Sequence, residues 1–350
     1  MSTPHVLTLI VDNVLENADL TGAALAHTSF SGIHFKNVNF DKADLSHVDF
    51  TLCQISHCTF NGAQLSHADL QGATLEHCQL IGAQLEQAKL STASITHTDF
   101  SDAMLAGADC SAMLFDQCRI DQAQFHNADL NCARFNACSL LGTQLQGANL
   151  QRMMALNCEL NSAYFGNNDM TQAMFMEANL QGQQFPDCSL ALTLFIEANL
   201  QGANFQGASL TQTQFVKANL QGANLSHMTA EDSNFAMANL SQANLDGSSF
   251  HICDFSLTKL AGARAIASRW RVTPLISMDA SRAVFDEASF NLCDLSHAVF
   301  DEASLRNASF DVCNLHGLSE QNTILEGALF NDTTRLDPIR QKGENWQSPT

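Results

Sequence analysis

Ala198-Asn199-Leu200-Gln201-Gly202 carries the pattern on which the chain is built: small, polar, large apolar, then two more polar or turn-forming positions. Every fifth residue on either side of Leu200 is again large and apolar, as in Leu190, Phe195, Phe205 and Leu210. The frame runs from Ile10 to Phe330 without a one-residue slip. Of its 65 positions, 58 are Leu, Phe, Ile or Met, so the period belongs to the whole chain. All 23 Phe residues fall in it. Two residues earlier, from Thr8 to Ala328, 54 of 65 positions are Ala, Cys, Ser or Thr. Between Ile10 and Phe330 only Glu320 puts a charge at either restricted position. Two positions in five therefore face inward and three face water.

Neither common period fits this spacing. A helix repeats its apolar residues about every 3.6 positions, and a half-buried strand every second one. A strict five requires a backbone that turns a corner once per repeat. With one large and one small residue facing the axis, the expected body is a square solenoid of four repeats per coil. The large side chains fill the centre, and the small ones sit beneath the turns.

The units Ala18-Asp19-Leu20-Thr21-Gly22, Ala68-Asp69-Leu70-Gln71-Gly72 and Ala218-Asn219-Leu220-Gln221-Gly222 match the motif A(D/N)LxX. On these residues the chain resembles the pentapeptide-repeat family over about residues 8–330. The resemblance implies an all-β fold, a right-handed quadrilateral parallel β-helix of about 16 coils. Residues 1–9 are expected to cap the first coil, since an open coil exposes backbone to edge-to-edge pairing. Regular repeats follow over 10–262 and again over 285–330. Residues 263–284 between them form a degenerate or bulged coil, with central residues Ala265, Trp270, Leu275 and Ala280. Residues 331–350 form a polar tail. Ala230 and Glu320 are smaller disturbances, expected at protruding corners.

The 350 residues carry 36 Asp and Glu against 16 Lys and Arg, a formal charge of −20. That balance argues against direct nucleic-acid binding, which relies on Lys and Arg to neutralise phosphates. It also argues against an anionic membrane surface. No stretch approaches the ~18 to 20 apolar residues of a membrane span. The expected partner is a protein with a basic surface. Residues 1–258 hold 24 acids and 7 bases, so the excess lies mostly there. Asp49, Asp69, Asp109, Asp129 and Asp169 share one face at intervals of whole coils, with Lys89 and Asn149 filling two gaps. A rigid column of carboxylates imitates a polyanion; the plainer reading is a polar residue that helps each turn. The strongest interruption carries Arg264, Arg269, Trp270 and Arg271, a candidate contact because Trp and Arg are enriched in interaction hot spots. The plainer reading is a Trp that fills a bulged coil.

Ten of the twelve Cys residues occupy the small inward position, where Cys exchanges with Ala and Thr as a small hydrophobe. Free core thiols are expected, with disulfides between stacked pairs as the lesser alternative. Reduced thiols, and a start (MSTPHVLTLIV) without a basic n-region, favour a bacterial cytoplasm. Export by a specialised secretion system remains compatible with this. Eight of thirteen His residues share one outward position, including His27, His47 and His67. These read as solvated turn residues, and no cofactor or metal site is expected.

Catalysis needs a concave site with converging polar groups. A filled solenoid with a convex polar exterior offers none, so no enzymatic activity is expected. The favoured function is a rigid scaffold for protein partners, as in some secretion-system or effector members of the family. The alternative is an acidic DNA mimic resembling the quinolone-resistance and antibiotic-immunity members, which bind DNA gyrase. Those members share a C-terminal apolar dimerisation element that this tail lacks.

Overall fold

The computed structural model describes residues 3–335. The chain divides into two compact units. The first comprises Met1–Leu180 with Phe185–Ser189, and the second comprises Gln181–Gln184 with the chain from Leu190. Each is a quadrilateral parallel β-helix. Among the described residues, the first unit has nine three-residue strands, from Val14–Glu16 to Met174–Met176. The second has seven, from Ser209–Thr211 to Leu329–Asn331. Each strand pairs in parallel with the one 20 residues on, as in Leu15 with Phe35 and Phe250 with Trp270. The remaining faces are held by single bridges at the same interval, such as Asp49 to Asp69.

Backbone bookkeeping explains the period of five. A buried amide without a partner is costly, so each repeat must place five N–H groups. In Asn39-Phe40-Asp41-Lys42-Ala43, Asn39 N–H donates back to Ala18 (2.9 Å). Phe40 and Lys42 donate forward to Thr59 (2.7 Å) and Asn61 (3.0 Å). Ala43 closes the turn onto Phe40 (3.0 Å). The fifth amide, Asp41, donates to the Asn39 side chain at 2.8 Å. The Asp or Asn of the motif is therefore the acceptor for an amide that the ladder leaves over. The fourth residue of the unit, counted from Asn39, lies in the left-handed region: Lys42 has φ 57°. Gly fits such φ without a Cβ penalty, and 16 of the 18 Gly sit there. The eight regularly spaced His residues occupy the same position, with φ between 50° and 60°.

The corner that follows each strand is built differently. Its small inward residue does not close a turn. Instead Cys78 N–H donates to Thr98 Oγ1 (3.1 Å), and Thr213 N–H to Ser233 Oγ (3.1 Å), each one coil away. The column reads Cys58, Cys78, Thr98, Cys118, Cys138, Cys158 in the first unit and Thr213, Ser233, Cys253, Thr273, Cys293, Cys313 in the second. Its thiols and hydroxyls also reach carbonyls. Cys138 Sγ lies 3.4 Å from Phe115 O and 3.3 Å from Asn136 O. All twelve cysteines are free. Burial pushes the Cys58 thiol up to about 12 and the Cys78 thiol to about 11, which keeps them protonated as donors. At this corner Cys is thus a hydrogen-bonding residue, not only a small hydrophobe.

The centre of each unit is packed by the large frame. In the first, Phe115 and Phe135 stack with centroids 4.9 Å apart, and Ala155 then interrupts the row. In the second, Phe195, Phe215, Phe235 and Phe255 stack at 5.1, 4.8 and 4.5 Å. On the neighbouring face, Phe250 lies 4.2 Å from Trp270, which lies 6.0 Å from Phe290.

Three expectations change here. Residues 263–284 are irregular in sequence but not in backbone: Arg269–Arg271 pairs in register on both sides, without a bulge. All four central residues are buried, with the Trp270 indole stacked between Phe250 and Phe290. Its Nε1–H donates to Ser268 Oγ at 2.8 Å. Ala230 lies in register in the strand Thr229–Glu231 and is buried, so it is no protruding corner. The last coil continues past residue 330: Thr334 accepts from Leu315 N–H and donates to Cys313 O. Residues 336–350 of the expected tail lie outside the described residues. At the other end a short helix, Thr3–Leu7, buries Val6.

Two stability outcomes follow from this packing. Phe195→Ala removes a ring from a closed stack and is expected to cost ~3 to 5 kcal/mol. Asn219→Ala, half-buried and outward, is expected to cost about 1 kcal/mol; equal melting shifts for the two would contradict the inward frame. Cys138→Ser keeps a donor and acceptor at the strand corner, as Ser233 does. Cys138→Ala leaves the Cys118 amide without its acceptor. The alanine variant is expected to melt lower than the serine variant, by ~1 to 3 kcal/mol of stability.

Candidate functional site

With both interiors filled, the chemistry-bearing side chains lie outside. The acidic column is real as geometry: Asp49, Asp69, Lys89, Asp109, Asp129, Asn149 and Asp169 bridge one another in succession within the first unit. Each carboxylate first serves its own turn. Asp49 Oδ1 accepts from Thr51 N–H (3.0 Å), Asp69 from Gln71 (3.1 Å), Asp109 from Ser111 (3.1 Å). Asp129 does so from Asn131 (3.0 Å) and Asp169 from Thr171 (2.9 Å). Asp49 also takes the Ser29 hydroxyl at 2.7 Å, and Asp169 the Gln151 amide.

Partial burial raises the pKa of Asp49, but the Thr51 and Ser29 bonds outweigh it and hold the carboxyl below its ordinary value. Asp169 shows the same balance, with Thr171 and Gln151. Lys89 Nζ lies 3.7 Å from Asp69 and softens the column at one point. Outside this column, the first unit carries further acids. In all it has 19 acids against 6 bases, a net of −13, whereas the second has 17 against 10, a net of −7.

The basic cluster separates into different roles. Trp270 is 1% exposed, so it is not a surface contact; strand alternation turns it inward. Arg264 lies on another face, where its Nη2 holds Asp246 Oδ2 at 2.8 Å. Arg269 and Arg271 point outward from one strand. Among the described residues neither guanidinium group has an ion-pair or hydrogen-bond partner. They border a groove of about 380 Å³ that also takes in Thr229, Ala230, Ser249 and His251. The sequence reading missed this groove. Its one advance signal was the run Ser209, Thr229, Ser249 at intervals of 20, short side chains beside the arginines.

The histidine columns stack as rings. His27 and His47 lie 4.6 Å apart, His47 and His67 4.8 Å, His57 and His77 5.1 Å. No group of three or more metal-ligating side chains converges among the described residues.

The profile described as "Pentapeptide repeat region" matches residues 13–77, 68–145 and 158–235. That of "Pentapeptide repeats (8 copies)" matches 229–262 and 281–317. No curated protein matches the sequence significantly. Among solved structures, the chain is similar to HetL of the cyanobacterium Nostoc sp. strain PCC 7120, a pentapeptide repeat protein involved in heterocyst differentiation regulation. The identity is 19% over 94% of both chains, with a TM-score of 0.23. It is also similar to full-length QnrB1, a plasmid-mediated fluoroquinolone resistance protein, at 15% identity over 83% of this chain and 96% of that one, TM-score 0.29. A third is a pentapeptide repeat protein of the Arabidopsis thaliana thylakoid lumen, at 21% identity over 37% of this chain and 72% of that one, TM-score 0.22. The profiles cover well over half of the sequence, and on that ground the chain belongs to the pentapeptide repeat family.

Proposed function

We propose that this protein is a non-enzymatic scaffold whose outward faces bind protein partners with basic surfaces. The reading places it in a bacterial cytoplasm, within or beside a secretion or effector system. One observation carries the scaffold reading: in each unit the large side chains are sealed inside, while charged residues recur outside at a fixed interval of one coil. A backbone in which every repeat is laddered to the next holds such charges in place before a partner arrives. Little ordering entropy then remains to be lost on binding. The direct test is a pull-down from bacterial lysate at rising salt. A specific partner with a basic surface, released by moderate salt, is expected. Recovery only of salt-insensitive partners would contradict the charge-based part of the reading.

The five stacked aspartates favour a second reading, the DNA mimic that binds DNA gyrase. Magnitudes weigh against it. One column offers a carboxylate every ~4.8 Å at best, whereas duplex DNA carries one charge per ~1.7 Å. Mimicry therefore needs more than this column.

Changing Asp49, Asp69, Asp109, Asp129 and Asp169 together to Asn separates the readings. The fold is expected to survive, because Asn149 Oδ1 already accepts from Gln151 N–H at 3.2 Å in the same column. Asp49 and Asp169 have depressed native pKa values, so their contribution to stability is present above the unfolded value of ~3.9 and lost as pH falls through the native one. Acid unfolding below about pH 4 is thus expected to be less steep in the five-Asn protein. A gyrase supercoiling assay decides the mimic. Inhibition by the parent that the five-Asn protein loses supports it; a parent that neither inhibits gyrase nor protects it from a quinolone rules it out.

A further inference from the structure

The second unit holds a place where two cationic side chains stand together without an anion of their own among the described residues. Arg269 and Arg271 stand on alternate residues of one strand, so both project outward about 6.6 Å apart along it. Among the described arginines of the second unit, Arg264, Arg282, Arg306 and Arg335 each find a carboxylate. Arg269 and Arg271 do not, among the described residues. The strands before them carry Ser249, Thr229 and Ser209 in the column of Arg269. These hydroxyl side chains are short, so the floor is low and the arginines form one wall. The groove of about 380 Å³ opens to solvent along the sheet face. Its one carboxylate, Glu231, lies 3.5 Å from His251 Nδ1, which stands between it and Arg271.

From this arrangement we infer that the groove is a docking site for a phosphorylated side chain on an extended segment of a partner protein. Guanidinium groups hold phosphate through paired N–H donors, and Arg clusters are a recurrent mode of phosphopeptide recognition. The hydroxyls of Ser249 and Thr229 supply further donors beside Arg269. A free small molecule would need most of its surface buried, which an open sheet groove does not provide. A peptide gains contacts on either side of the groove. A plain carboxylate side chain presents fewer acceptor oxygens and less charge than a phosphate to two arginines.

The inference rests on the scaffold reading, and the test keeps the two apart. Arrayed peptides with a central phosphoserine in random flanks are probed with the full-length protein, beside matched arrays with Ser and with Glu. Selective retention on the phosphoserine array is expected, at least tenfold over either control, weakening with salt. Arg269→Gln with Arg271→Gln is expected to abolish that selectivity at unchanged melting temperature, since both side chains are exposed. Arg264→Gln, on another face, is expected to leave it intact. Equal retention of Glu and phosphoserine peptides, or selectivity that survives the double Gln variant, overturns the proposal. Either failure leaves the scaffold reading in place if the salt-released partner from the lysate still binds the double Gln variant.

Discussion

The structure depends on one constraint: each coil is stacked edge-on against its neighbours, so each repeat must dispose of five amide protons within a backbone that also turns a corner. Three enter the ladder, one closes the turn, and the last goes to the Asp or Asn side chain, as Asp41 N–H does to Asn39. The corner after a strand uses a different solution. There a Cys, Ser or Thr of the next coil accepts the amide, as Thr98 does from Cys78. Side chains that look interchangeable in the repeat are thus sorted by the kind of corner they serve. The sixteen positions just before the central strand residue make the point, for none of them is Asp or Asn.

That constraint also frames the meaning of the charge. The fold needs an acceptor before the central residue; it does not need a negative one. Asn199, Asn219 and Asn239 fill three successive coils of one column in the second unit and cap their turns at 3.2 to 3.3 Å. Five aspartates in one column of the first unit exceed what the backbone asks for. The excess is therefore open to another role.

The fold was legible from residues because a five-residue period with two restricted positions has one economical solution. Packing details were less legible. Trp270 reads in sequence as a defect between Arg269 and Arg271, since a residue count does not show that the indole stacks between Phe250 and Phe290. The thiol column was hidden because Cys, Thr and Ser recur at the small position on all four faces, and only the folded structure shows which face carries the strands. That face differs between the units in sequence phase: it centres on residues such as Phe135 in the first and Phe250 in the second. Of the candidate surfaces, the aspartate column was visible from 20-residue spacing alone. The groove was not, because it arises from short side chains, and shortness carries no chemical label.

The strand Arg269–Arg271 shows how one irregular stretch serves two ends. Successive strand residues point to opposite sides. The middle residue of the three is thereby committed to the core, where the indole stacks on Phe250 and is bonded to Ser268. The flanking residues are released to solvent by the same alternation. A buried aromatic anchor fixes the strand, and the fixed strand holds two guanidinium groups at a set spacing. Replacing Trp270 by a smaller residue would loosen the core first and the arginine spacing second. The cationic pair is therefore built into the packing of the solenoid, although none of its charge is used in holding the solenoid together.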